Sequence, residues 1–350
     1  MEYVRKDLRN FKGYVPKQAP CEIKLDANEG KNLLLELAFS DGILLDRNCP
    51  LHLYPDSMAR ELRAELANYI GYNWDNIVIG NGSNELLETI MKTFLEPGGT
   101  VMSFVPTFHM YSVFTQIYGG NFVGIDSEPD FSLDYDKLIA KAHELKPDII
   151  FIANPNNPSG YLTPRNDLIK LIESVDCMVV VDEAYFEFCG ETIIDQINYY
   201  DNLIILRTLS KAFGLAGLRI GYLVANAKLA RVIDGIRTPY NTGNLSQYLA
   251  VLGLKHRDQL LTYAETVKSE RKRLEERLKE LGFTTYQSHG NFVFVHTLIP
   301  TFGEKVGAQG IQIRDYTAQM SGFYRITVGD KSDNDAFIKI VEGIVENEKS

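Results

Sequence analysis

A lysine set among hydroxyl and small residues is the part of this chain best suited to covalent chemistry. The segment reads Arg207-Thr208-Leu209-Ser210-Lys211-Ala212-Phe213-Gly214-Leu215-Ala216-Gly217-Leu218-Arg219. An uncharged lysine amine attacks carbonyl carbon, and burial or neighbouring positive charge makes that form accessible near neutral pH. Arg219, eight residues beyond Lys211, supplies such a charge. Thr208, Ser210 and Arg219 are also a donor set suited to a phosphate dianion. A solvated surface position is the ordinary fate of a lysine. The two hydroxyls and the arginine set Lys211 apart from that background.

Asp182 follows the apolar run Met178-Val179-Val180-Val181. It is therefore expected at the carboxyl end of a buried strand, where open α/β sheets place ligand chemistry. A carboxylate there can hold a protonated ring nitrogen, and a helix N-cap is the plain alternative. Gly80-Asn81-Gly82-Ser83-Asn84 ends one apolar stretch and opens a helical one. Its backbone amides suit the same dianion, although alone it reads equally as a left-handed turn. Asn157 lies in Asn154-Pro155-Asn156-Asn157-Pro158-Ser159-Gly160, where Asn154 and Asn156 read as turn residues. An imine-forming lysine, an acid for a ring nitrogen and a phosphate cradle are together what pyridoxal phosphate requires.

These motifs, in this order, resemble those of fold-type-I pyridoxal-phosphate aminotransferases, and within them the histidinol-phosphate aminotransferases. The resemblance runs from Leu25-Asp26-Ala27-Asn28-Glu29 to Arg325-Ile326-Thr327-Val328-Gly329. It implies that Lys211 is the Schiff-base lysine, that Asp182 faces the pyridine nitrogen, and that Tyr185 and Asn157 hydrogen-bond the ring oxygen. Phe108, after Pro106-Thr107, would stack on the ring, and Ser83, Asn84, Thr208, Ser210 and Arg219 would hold the phosphate. Tyr54, in Leu53-Tyr54-Pro55-Asp56, would reach the phosphate of a neighbouring subunit, which makes the expected form a homodimer with shared sites. Arg325 would take the substrate's anionic group, with Arg314 eleven residues earlier as a second cation and Tyr14 and Asn28 as further substrate contacts. A surface salt bridge is the alternative for Arg314. The activity implied is amino transfer from glutamate to imidazole-acetol phosphate, giving histidinol phosphate and 2-oxoglutarate in histidine biosynthesis. Transamination of aromatic amino acids and decarboxylation of threonine phosphate are the neighbouring readings.

The elements that must position these residues are legible as well. Ile77-Val78-Ile79, Val101 to Val105, Ile149 to Ile152, Met178 to Val181 and Leu203 to Leu206 are continuous apolar runs alternating with amphipathic stretches. Strands buried on both faces read in this way, so an α/β architecture with a mostly parallel, helix-flanked sheet is expected. From about residue 245 the pattern changes to a long helix, including Arg271 to Leu281, then the strand-like segments 292–295, 311–313 and 324–328 and a final helix near Asp335 to Glu346. The expected division is an extended arm over 1–30, a large cofactor-binding domain over 31–244 and a smaller α+β domain over 245–350.

Composition narrows the function classes. The chain has 350 residues, 45% hydrophobic and 23% charged, with a formal net charge of −10. That length fits about two domains. The acidic balance argues against nucleic acid as a partner. Cys21, Cys49, Cys177 and Cys189 lack metal-ligand spacing, as do the six histidines, so no metal site is expected. Scattered cysteines, no apolar signal core at the start and no apolar run near the ~20 residues of a membrane span point to a cytoplasmic protein. No G-x-G-x-x-G follows the first strand, which argues against a dinucleotide-binding dehydrogenase.

Overall fold

A computed structural model describes residues 22–26, 28, 29 and 53–349. Tyr14 and most of the expected arm lie outside these residues, as do Cys21 and Cys49.

Among the described residues the strands form two sheets. The larger contains β2 (Ile77–Asn81), β3 (Thr100–Val105), β4 (Asn121–Asp126), β5 (Ile149–Ala153), β6 (Met178–Asp182), β7 (Leu203–Thr208) and β8 (Ile220–Val224) in the order β2-β8-β7-β6-β5-β3-β4. Strands β3 to β7 pair in parallel, and β8 runs antiparallel to both β7 and β2. The valine run of β6 shows why the strands are apolar at every position. Val179 and Val181 enter the core on one face while Val180 enters the core on the other, and all three are fully buried. Helices over Ser83–Phe94 and Ala227–Ile236 cover one face; those over Arg60–Ile70, Tyr135–Leu145 and Arg165–Ser174 cover the other.

The smaller sheet contains β1 (Ile23–Leu25), β9 (Thr284–Tyr286), β10 (Phe292–His296), β11 (Ile311–Asp315) and β12 (Phe323–Thr327), in the order β1-β11-β12-β10-β9. The end of the expected arm is thus a strand, paired in parallel with β11. The long helix spans Arg257–Glu280, starting earlier than its leucine pattern indicates, and Gly282 closes it at φ 91°. The final helix spans Lys331–Lys349.

The two cores meet along the long helix. Ala250, Val251 and Leu254 of the helix Asn244–Lys255, and Leu260 at the start of the long helix, pack into the larger sheet's core. Tyr263, Val267, Leu274 and Leu278 pack against the smaller sheet.

Parallel pairing aligns the carboxyl ends of β5, β6 and β7. Ala153 pairs with Asp182, and Asp182 with Leu206. The loops leaving these three strands carry Asn157, Tyr185 and Lys211 to one edge of the sheet.

Candidate active site

A cleft of about 1170 Å³ opens at that edge, between the larger sheet and strands β11 and β12. Ser83, Asn84, Phe108, Asn157, Asp182, Tyr185, Thr208, Ser210, Lys211, Arg219, Arg314 and Arg325 all line it. Segments far apart in sequence therefore converge as the motifs require.

Lys211 sits in the loop after β7 and is partly buried. Loss of solvent, then the positive charge of Arg325, lowers its pKa to about 7. Glu29 opposes this shift, and Arg219 and Lys24 add to it. Near neutral pH the amine and ammonium forms are thus present in comparable amounts, which suits a nucleophile and proton carrier.

Asp182 is buried at the end of β6, and burial raises its carboxyl to about 6. The hydroxyl of Tyr111 donates to its Oδ2 at 2.8 Å. Oδ1 accepts the backbone N–H of Ala184 at 3.2 Å, the cap-like role that the alternative reading assigns. The other oxygen and the cleft-lining position go beyond a cap. A buried carboxylate of this kind calls for a cationic partner in the cleft.

Tyr111 is the main residue that sequence reasoning passed over. It is fully buried, stacks on Phe151 at 4.6 Å and 9°, and meets Phe108 edge-on at 5.6 Å. The available signal was its position three residues after Phe108, where the chain turns into the helix Met110–Ile117. Tyr316 is a second omission, its hydroxyl lying 3.5 Å from Nη1 of Arg325.

The anion cradle forms where β2 turns into the helix Ser83–Phe94 across from β8. Gly82, at φ 76°, is the helix N-cap and provides no side-chain cap. A Cβ on Gly82 would lie 2.3 Å from Nη2 of Arg219, and one on Gly221 would lie 2.4 Å from the backbone nitrogen of Ser83. Glycine at both places lets the arginine and the helix N-terminus close on one spot. Across from them Thr208 and Ser210 are buried and bonded to each other, Thr208 Oγ1 donating to Ser210 Oγ at 2.9 Å.

Arg325 is buried on β12, and its partner in register on β11 is Arg314. Nη1 of Arg325 donates to Asn157 Oδ1 at 2.5 Å, and Nη2 donates to the carbonyl of Asp26 at 2.8 Å. Nε has no hydrogen-bond acceptor and faces no solvent. Arg314 lies 5.7 Å from the ring of Tyr316 and lines the cleft.

Asn28 and Tyr54 do not line this chain's own cleft. Asn28, expected to touch substrate, is buried and does not line the cleft, and its side chain supports Tyr185. Its Nδ2 donates to the Tyr185 hydroxyl at 3.0 Å, its Oδ1 accepts from Thr327 Oγ1 at 2.9 Å, and its carbonyl accepts from Asn291 Nδ2 at 3.0 Å. At φ 54° the backbone of Asn28 is left-handed, which turns the amide inward. Tyr54 is 83% exposed and stacks on Tyr240 at 4.9 Å, away from this chain's own cleft.

An amine near its pKa beside a buried acid, an anion cradle and a pair of arginines is the equipment of amino-group transfer. Residues 22–341 match the model of the family "Aminotransferase class I and II". The chain belongs to the class I and II aminotransferases. Its similarity to a histidinol-phosphate aminotransferase of Clostridium novyi (strain NT) is 38% identity over 357 residues, covering 98% of this chain and 97% of the relative. A histidinol-phosphate aminotransferase of Thermoanaerobacter sp. (strain X514) is 39% identical over 339 residues, covering 96% of each. The fold matches the crystal structure of histidinol-phosphate aminotransferase from Sinorhizobium meliloti, solved with pyridoxal-5'-phosphate, with a TM-score of 0.86 and 22% identity over 99% of both chains. The α/β architecture expected from the sequence is thus the aminotransferase fold.

Proposed function

We propose that this aminotransferase uses pyridoxal phosphate to carry the amino group of glutamate to imidazole-acetol phosphate, releasing 2-oxoglutarate and histidinol phosphate in histidine biosynthesis. The observation that carries the substrate assignment is the register pair Arg314 and Arg325 in the cleft that also holds Lys211 and Asp182. One guanidinium suits a carboxylate. Two suit a group that is nearly a dianion. The relatives' names agree with this choice.

The residues present fit the cofactor. The buried Asp182, raised to about 6, suits a protonated ring nitrogen as partner, and the space between Gly82 and Arg219 tolerates no Cβ. Bound there, pyridoxal phosphate supplies an aldehyde for the amino group and a protonated ring that accepts the electron pair released at the substrate's Cα. Asp182 would keep that ring nitrogen protonated, and Tyr111, which donates to its Oδ2, would keep Asp182 oriented. Tyr185 and Asn157 would hold the ring oxygen, with Asn28 supporting Tyr185. Phe108 would pack on the ring, and Ser83, Asn84, Thr208, Ser210 and Arg219 would hold the phosphate. Lys211, with a pKa of about 7, would take the proton from the substrate's Cα and be able to give one back. Arg325 and Arg314 orient the substrate by its anionic group.

The working form is a cytoplasmic homodimer in which Tyr54 completes the partner's phosphate site. Its exposure and its stack on the half-exposed Tyr240 support that placement. Among the described residues no helix is long and apolar enough to cross a membrane. The proposed division is an N-terminal segment over 1–30, a large cofactor-binding unit over 31–244 and a small unit over 245–350. The helix Asn244–Lys255 and Leu260 pack with the larger core, while Tyr263 onward packs with the smaller sheet, which supports a boundary close to the start of the long helix.

A screen of half-reactions tests the assignment. Purified protein loaded with pyridoxal phosphate is mixed with single amino donors, and loss of the bound cofactor's long-wavelength absorbance is followed. Rapid loss with glutamate and with histidinol phosphate is expected. Rapid loss with aromatic amino acids and none with histidinol phosphate, or release of carbon dioxide from threonine phosphate, would replace the assignment.

A further inference from the structure

One cleft-lining side chain has no part in the chemistry above. His109 follows Phe108, in a segment held firmly in place. Thr107 Oγ1 donates to Asn156 Oδ1 at 3.1 Å, and Asn156 Nδ2 donates to the carbonyl of Pro106 at 3.0 Å. The carbonyl of His109 accepts from the backbone N–H of Val113 at 3.1 Å and from Ser112 Oγ at 2.8 Å. The imidazole stands edge-on to Phe108, with ring centroids 5.4 Å apart at 74°. It lines the same cleft as Arg314, Arg325 and Tyr316.

Partial burial first, and then the charges of Arg314 and Arg325, lower the pKa of His109 to about 4. Near neutral pH it is an uncharged ring with one N–H donor and one lone pair. This matters because Arg325 is partly committed. Its Nη1 serves Asn157 and its Nη2 serves Asp26, so two of its five N–H donors are already engaged within the chain. A phosphate monoester presents three terminal oxygens and a carboxylate two. The larger group needs more donors, whereas a third fixed cation here would further disfavour the ammonium form of Lys211, which Arg325, Arg219 and Lys24 already disfavour.

We propose that His109 determines specificity, donating its N–H to the phosphate of the substrate beside Arg314 and Arg325 and so favouring a phosphate monoester over a carboxylate without adding charge. The inference rests on the histidinol-phosphate reading and names the residue that refines it.

The test uses the cofactor-loaded enzyme with His109→Leu, which removes the donor, and His109→Gln, which keeps an uncharged one. Single-turnover kcat/KM is measured with histidinol phosphate and with glutamate, together with inhibition of the glutamate half-reaction by inorganic phosphate. His109→Leu should lower kcat/KM for histidinol phosphate by about ten-fold or more, the effect of one hydrogen bond to a charged group. It should change the glutamate value by less than about three-fold and weaken phosphate inhibition by a similar factor to the histidinol-phosphate loss. His109→Gln should recover most of both effects. Equal losses on the two substrates, or unchanged phosphate inhibition in His109→Leu, would overturn the role of His109. If the unaltered enzyme turns over glutamate but not histidinol phosphate, the substrate reading fails, and phosphate inhibition alone then decides the role of His109.

Discussion

Replacing Asp182 by asparagine should stabilise the cofactor-free protein at neutral pH while crippling the enzyme. The carboxyl titrates at about 6 instead of its ordinary 3.8, mainly because it is buried. Holding it ionised at high pH therefore costs about 3 kcal/mol of folding stability. The direction follows from proton binding. Between these two values the native state holds the proton more tightly than the unfolded chain, so stability falls as pH rises and the loss is complete above about 6. An amide has no such titration, and Tyr111 can still donate to its oxygen. Urea titrations at about pH 4.5 and about pH 7.5, without cofactor, should show the variant gaining about 2 kcal/mol on the parent between the two conditions. With pyridoxal phosphate the order should reverse in function. The added stability on loading should be smaller in the variant, and single-turnover deamination of glutamate should slow by about a hundred-fold or more, as when a buried ion pair loses one partner. Parallel pH dependence in the two proteins would refute the buried, cation-seeking carboxylate. A near-parental turnover rate would reduce Asp182 to a helix cap.

Other consequences concern the substrate end, the partner subunit and the shell behind the site. Arg314→Ala should lower kcat/KM for histidinol phosphate by about ten- to a hundred-fold and affect glutamate less, whereas Arg325→Ala should impair both; stopped-flow half-reactions decide. Mixing Tyr54→Phe with Lys211→Ala subunits should yield heterodimers with one sound site, so activity that never exceeds that of the parent homodimers would exclude a shared site. Asn28→Ala should leave substrate KM little changed but slow turnover by roughly ten-fold through a loosened Tyr185, read as a kcat-only effect in steady-state kinetics.

The fold was legible where the physics is local. Val179 to Val181 could be read as a doubly buried strand because consecutive apolar residues need two covered faces, and Asp182 then had to fall at the strand's carboxyl end. The glycines of Gly80-Asn81-Gly82 were readable as a turn, but only the structure shows that Gly82 makes room for Arg219. What sequence could not supply were pairings across long separations. Tyr111 meets Asp182 across 71 positions, and Asn28 meets Tyr185 across 157. Both look like ordinary core or loop residues until the strands are assembled. The extent of the long helix was also understated, because its first turns face the other core and break the leucine pattern.

Chemical trapping tests the proposal that Lys211 carries the chemistry. Purified protein is loaded with pyridoxal phosphate, reduced with borohydride, digested and mapped by mass spectrometry. The account predicts a pyridoxyl label on the peptide containing Lys211, and loss of both label and transamination in Lys211→Ala. A label on any other lysine, or transamination that survives in Lys211→Ala, would contradict it.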